Sequence, residues 1–209
     1  MIDRRLVSLF LAWWVLPIGV GHATAVKPTC PAIGKNDHYF PRAIFGLDLE
    51  MDKSSRDWYS RHLRAMGEPS LSCGETSAIE IYRFIWLRSF DPPVAIRVVR
   101  AASEVRIVGY ELSGQGGYEP GKIRHRIDRR LSEDEWWKLR AAVDVAGLWN
   151  LPTVGPGGGL DGSMWIYEMR RPSSYRVSAQ WTPEPGAFRD VGLLLLQLSG
   201  LRVVDGRLY

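Results

Sequence analysis

Two acids in the last third of the chain are the first residues to test for chemistry. Asp161 and Glu168 lie seven positions apart, with Trp165 between them and Arg176 and Trp181 following. Glycoside cleavage uses two carboxylates across a cleft, one protonated and one ionised. Tryptophans beside such a pair would offer a platform for sugar rings. Glu168 is the best-placed single acid on its strand, and Asp161 is its only nearby companion.

Other chemical patterns fail on spacing. Asp48-x-Glu50-x-Asp52 opens like a calcium loop, but Lys53 stands where that loop needs glycine and Tyr59 where it needs glutamate. It reads instead as an exposed acidic strand or turn. Gly157-Gly158-Gly159-Leu160-Asp161-Gly162-Ser163 has the glycines of a phosphate loop without its lysine. It leads into a strand pattern rather than the helix N-terminus that would hold the anion. It therefore reads as a connection that needs positive φ angles, or as a lid over a groove. A serine nucleophile needs a positioned histidine and an acid, and there is no G-x-S-x-G. Beyond the first 25 residues the histidines are His38, His62 and His125. None has a carboxylate or cysteine at a spacing that suggests a triad or a zinc site. His125 falls on the inward side of an alternating strand and reads as a core histidine. The sequence thus calls for no catalytic residue, no metal and no cofactor.

The elements that position these residues follow from periodicity. Ser54 or Ser55 caps an expected first helix, with Trp58, Tyr59, Leu63 and Met66 at helical spacing and Gly67 at its end. Ile79 to Arg88 alternates with apolar or aromatic residues on both faces, as in a strand covered on both sides. Val94 to Arg100 and Glu104 to Leu112 are further strands, the second with a change of face beside Gly109 that suggests a bulge. Lys122 to Arg130 alternates with Ile123, His125 and Ile127 inward. Ser132-x-x-Glu135 is a capping box opening a helix with Trp136, Leu139, Val143 and Ala146 as its apolar stripe. Ser163 to Arg170 and Ser174 to Trp181 flank a turn at Pro172-Ser173, and Gly186 to Ser199 is a last helix with a four-leucine run. Short strand connections imply antiparallel pairing. The expected fold is α+β: an antiparallel sheet of about six strands, with three helices packed mainly on one face.

The hairpin refines the site. The expected register sets Trp165 opposite Trp181, Tyr167 opposite Ala179 and Met169 opposite Val177, all on one side. Ile166, Glu168, Arg170, Arg176, Ser178 and Gln180 then share the other side. The tryptophan pair either packs under the last helix or forms a sugar platform. A hairpin needs a buried face, which favours packing. Arg97, Arg106, Lys122, Arg124 and Arg126 align as a basic stripe on neighbouring strands. Anionic lipid or polymer is one reading of it. A solvated face balanced by Glu104, Glu111 and Asp128 is the favoured one.

The chain as a whole bounds the answer. Its 209 residues, 45% apolar and 24% charged, exclude disorder and suit one sizeable core. A net charge of +4 gives no strong reason to expect nucleic acid. Arg4-Arg5, the apolar run Leu6 to Val20 and Ala23-Thr24-Ala25 follow the plan of a secretory signal peptide, residues 1–25. An extended lead-in, 26–53, and a single α+β domain, 54–209, follow. Pro17, Gly19 and Gly21 interrupt the apolar run, so no stable transmembrane span is expected after cleavage. Cys30 and Cys73 both lie past the signal, and in an oxidising compartment they are expected to pair.

Trp149-Asn150-Leu151-Pro152, then Leu160-Asp161-Gly162-Ser163-x-Trp165-x-x-Glu168, then Tyr175 and Trp181-Thr182-Pro183, resemble a group of small exported bacterial proteins of uncharacterised function. The usual form of that group has a histidine after the tyrosine and an arginine before the tryptophan, where this chain has Arg176 and Gln180. The resemblance covers the C-terminal third and implies an exported bacterial protein with one α+β unit. It implies no activity. The expectation is a periplasmic or secreted, non-enzymatic envelope protein that binds a protein partner or an envelope polymer. The alternative is an envelope hydrolase acting on a glycan or peptide through carboxylates. The candidate binding residues are Asp161, Trp165, Glu168, Arg176 and Trp181.

Overall fold

A computed structural model of the chain describes residues 39–73 and 78–202. The expected signal peptide, Cys30 and His38 lie outside the described residues. Helix α1 (Leu49–Met66) precedes four strands: β1 (Glu80–Arg88), β2 (Val94–Arg100), β3 (Val105–Leu112) and β4 (Ile123–Leu131). Helix α2 (Glu133–Val145), a 3-10 turn at Leu148–Asn150, the hairpin β5 (Ser163–Arg171) and β6 (Ser174–Trp181), and helix α3 (Ala187–Ser199) complete the order. The strands form one six-stranded sheet in the order β4-β3-β2-β1-β5-β6, and every neighbouring pair is antiparallel. The fold is α+β.

Both faces of the sheet carry helices, and this explains the double alternation in β1. All of its residues are buried. Tyr82, Phe84 and Trp86 point to one face with Val94, Ile96, Trp165 and Tyr167, under α2 and α3. Ile85 and Leu87 point to the other with Ala95, Val108 and Ile166, under Tyr59, Leu63 and Met66 of α1. Two helices thus share one face and α1 alone covers the opposite one. At about 25 cal/mol per Å² of apolar surface, such burial on both sides is the main stabilising contribution in the fold.

Local sequence sets the helix ends. α1 starts before the expected Ser54: Asp48 is the N-cap and accepts from the N–H groups of Glu50 and Met51, each at 3.0 Å. The acidic run is therefore a helix start rather than a turn. Asp48 caps, Glu50 lies in the first turn, and Asp52 is fully buried. Asp52 accepts from the N–H groups of Ala43 and Phe45 at 3.0 Å and from Arg56 Nε at 2.7 Å, which fixes the chain entering α1. α2 carries the expected capping box between Ser132 and Glu135. α3 approaches the sheet through Gly192, where a Cβ would lie 2.5 Å from Trp165 Cζ3 and 2.8 Å from the Tyr167 hydroxyl.

Three strand expectations change. Gly109 is no bulge: it pairs in continuous register with Ile127, and the register shift falls between Glu111 and Leu112. The face change in β3 reflects two covered faces, not an inserted residue. His125 is not in the core. It lies on the edge strand β4 with 54% of its side chain exposed, and Nε2 is 3.6 Å from Glu111. The hairpin register is one residue off the expected one, with Met164 opposite Trp181 and Trp165 opposite Gln180. A two-residue turn at Pro172-Ser173 dictates this, because it pairs Arg171 with Ser174. A slip of one residue moves every side chain of β6 to the other face. Trp165 and Trp181 therefore lie on opposite sides of the sheet.

Candidate functional site

Glu168 lies at the centre of a buried ion network, not at a cleft. Antiparallel pairing of β1 with β5 sets Arg83 opposite Glu168. Arg83 Nε donates to Glu168 Oε2 at 2.6 Å, and its Nη2 contacts the same oxygen. The Tyr175 hydroxyl donates to Glu168 Oε1 at 2.7 Å. Arg83 Nη1 also donates to Glu68 Oε2 at 3.2 Å and to the Pro69 carbonyl at 2.6 Å. Arg97 Nε holds Glu68 at 2.8 Å. Arg83 and Glu168 are both fully buried.

Burial pushes the Glu168 carboxyl above its ordinary value, with Arg83 and Tyr175 pulling it back. Burial also works against the charge on Arg83, but Glu168 and Glu68 outweigh it and hold the guanidinium charged. An arginine does not give up its proton in a protein, so the unit is an ion pair with a buried carboxylate on each side. Both oxygens of Glu168 are engaged and neither meets solvent.

Asp161 is not brought to Glu168. It is exposed in the loop before β5. Ser163, where β5 begins, is five residues from Glu168 along the strand, or about 17 Å at strand rise. The acid pair required for glycoside cleavage, within about 10 Å, is not assembled from these two residues. Trp165 is also removed from the surface. It is fully buried, its ring lies 5.1 Å from Phe84 and 5.4 Å from Trp86, and its indole N–H donates to Ser163 Oγ at 2.8 Å. Arg176 is exposed on β6, across from Met169. Among the described residues, no cluster of three or more His, Cys, Asp or Glu is placed to hold a metal ion.

Trp181 is the candidate that reaches a concave surface. The corrected register turns it toward the α1 side, where it lies between two adjoining cavities of about 180 and 330 Å³. The first is lined by Met51, Ser55 and Tyr59 of α1 with Val154, Met164 and Ala179. The second is lined by Trp58, Ser89, Tyr118 and Leu160. The glycine-rich loop forms the shared wall. A Cβ at Gly162 would lie 2.9 Å from the Trp181 indole nitrogen, and one at Gly159 would lie 3.0 Å from it. Gly162 also has a positive φ of 154°. Glycine at these positions lets the loop lie against the indole.

The rim of this groove is apolar and open. Leu160 is 97% exposed, Met51 72% and Tyr118 55%. Trp58 is fixed by its indole N–H, which donates to the Gly116 carbonyl at 2.6 Å. Beneath it His62 is fully buried, and burial holds its imidazole down at about 4. Large apolar residues grouped in a concavity mark interaction sites more often than singly scattered ones do. Only Asp161 and Trp181 of the sequence candidates are in or beside this groove. Met51, Trp58, Tyr118 and Leu160 were missed. Leu160 carries the clearest sequence signal, a lone large aliphatic residue in a glycine loop with no strand or helix to bury it.

The basic stripe is partly dismantled. Arg97 turns to Glu68. Arg106 and Arg126 share Asp128 at 2.8 and 3.1 Å, and Arg130 pairs with Glu104 at 2.8 Å.

No protein-family model matches the chain. No curated protein matches it either.

Proposed function

We propose that the chain is a non-catalytic protein of the bacterial envelope that captures a protein partner in the groove around Trp181. The observation that carries this reading is the groove itself: two adjoining apolar cavities with Trp181 between them and Leu160, Met51 and Tyr118 exposed at the rim. Aliphatic and aromatic linings of this kind fit the side chains of a peptide segment. The side-chain hydroxyls in the two linings are those of Ser55, Ser89, Tyr59 and Tyr118, and among the described residues no carboxylate or amide side chain lines them to recognise a sugar. The buried ion pair at Glu168 also supports a binding role over carboxylate catalysis.

Export rests on the signal-like residues 1–25 and on the resemblance to small exported proteins. The proposed Cys30–Cys73 disulfide fits the chain path. The Tyr39 carbonyl accepts from Ser72 Oγ at 2.8 Å and Ser70 Oγ at 3.2 Å, so the lead-in enters beside Cys73. Closing that loop would stabilise by about 4 kcal/mol on the chain-entropy account. Intact mass of periplasmic protein, with thiol alkylation and without reduction, tests both. The expected species begins at Val26 and takes no alkylating agent. A full-length mass with two reactive thiols would overturn export and disulfide together.

The groove is tested by placing a photo-crosslinking side chain at Leu160 and, as a control, at Arg176. The expected result is a discrete adduct in the envelope fraction from position 160 only, lost on Trp181→Ala. Equal adducts from both positions, or no dependence on Trp181, would sink the reading.

A further inference from the structure

The free edge of the sheet carries a second surface, which adjoins the groove at Tyr118. β4 is an edge strand whose residues Ile123 to Arg126 are all exposed. Lys122 lies just before it, Arg124, Arg126 and Arg130 succeed one another along it, and Arg106 is beside them on β3. The acids paired with these cations are Asp128 and Glu104. Asp128 is shared by Arg106 and Arg126, and Glu104 is taken by Arg130. Cations therefore outnumber acids along the strand. The Arg126 guanidinium lies over the Tyr110 ring at 5.8 Å, so its stem covers β3 while its charge faces outward.

One end of the same strand adds apolar tips. Ile123 is 46% exposed at the start of β4. The loop leading to it folds back on the β1–β2 turn, with Gly116 N–H donating to Asp91 O at 3.0 Å and Gly117 N–H to Ser89 O at 3.2 Å. That contact places Phe90, 50% exposed, at the same end of the sheet, with its ring 6.2 Å from Tyr118. Glu119, the acid in this loop, reaches toward Arg61 at 3.9 Å.

The geometry points to β4 and this sheet end as a docking surface for a bilayer containing anionic phospholipid. A row of cations on an open strand, with exposed apolar side chains at its tip, supplies the two signals that peripheral attachment needs. Exposed apolar side chains beside the cations have no role toward a soluble polyanion, and this favours a bilayer over a soluble polymer.

The test is co-sedimentation of the exported protein with vesicles of phosphatidylcholine alone, and of phosphatidylcholine with phosphatidylglycerol. Binding is expected to the anionic vesicles only, and to fall as salt is raised. Lys122→Glu with Arg124→Glu should weaken it at least about 25-fold, since each lost cation is worth about a factor of five. Both residues are exposed, so circular dichroism should be unchanged. Ile123→Ser should weaken vesicle binding, while Arg176→Glu on the opposite sheet edge should not. No binding at low salt, or equal binding by the double variant, overturns the proposal. Equal affinity for soluble polyphosphate, indifferent to Ile123→Ser, would assign the stripe to a polymer and overturn it too. The groove variant Trp181→Ala should bind vesicles normally, which separates this test from that of the proposed partner site.

Discussion

Arg83 and Glu168 face each other across β1 and β5 with neither side chain reached by solvent, and the guanidinium is shared with Glu68. Removing one partner leaves the others charged in an apolar interior. Glu168→Gln is therefore expected to destabilise by about 3–5 kcal/mol, measured by urea unfolding. Replacing both, Arg83→Met with Glu168→Leu, should be less damaging than the sum of the single changes, since no unpaired charge remains between them. A Glu168→Gln variant as stable as the parent would refute the assignment of this pair as structural.

The two tryptophans of the hairpin should behave oppositely. Trp165 is fully buried against Phe84 and Trp86, so Trp165→Ala should lose about 3–5 kcal/mol of stability. Trp181 is partly exposed at the groove, so Trp181→Ala should lose far less stability but abolish partner capture. Unfolding midpoints of the two variants, set beside the crosslinking yield, separate the roles. Similar losses of stability would mean that Trp181 is a core residue.

Gly192 fixes how closely α3 sits on the sheet. A Cβ there would meet Trp165 at 2.5 Å, Tyr167 at 2.8 Å and Phe84 at 2.9 Å, all rings held by their neighbours. Gly192→Ala is expected to destabilise by about 1–3 kcal/mol despite the better helix propensity of alanine. A thermal melt decides it, and an unchanged or raised midpoint would show that α3 can move outward freely.

The elements were legible because each has a local cause. The Ser132–Glu135 capping box, the double alternation of β1 and the leucine run of α3 each settle an element without reference to distant residues. The site was less legible because it depends on register and on which chain segments meet. One residue of slip in the β5–β6 pairing moved Trp181 from the core face to the groove. Glu168 became a buried ion through Arg83, 85 residues away in sequence, and no local pattern encodes that pairing. His125 looked inward because β4 alternates, but α2 and α3 cover this edge strand at Ile127, Arg129 and Leu131 and leave its start at His125 open. Trp58 and Leu160 meet across the fold through a loop contact at Gly116 and the glycine wall of Trp181. Helical spacing and glycine content mark such residues as exposed or hinged without saying what they adjoin.

His62, under Trp58 and the Gly116 loop, makes stability depend on pH in a defined window. Burial disfavours the charged imidazole most, Arg61 adds to this and the Gly116 backbone opposes it, so the folded value falls to about 4 from an ordinary 6.5. The unfolded chain therefore binds a proton that the folded chain refuses between those values. The stability from this residue is fully present above pH 6.5 and is lost as pH falls toward 4, by about 1.4 kcal/mol per unit. The total is on the order of 3 kcal/mol, and the effect levels off below pH 4. Glu135, lowered from 4.5 to about 2 chiefly by Arg129, then loses its own contribution in a separate, more acidic window. Urea unfolding from pH 7 to pH 4 should show the slope in the parent and its removal in His62→Gln, whatever that substitution does to stability at neutral pH. A slope retained in His62→Gln would assign it to other groups and would mean that His62 titrates normally in the folded protein.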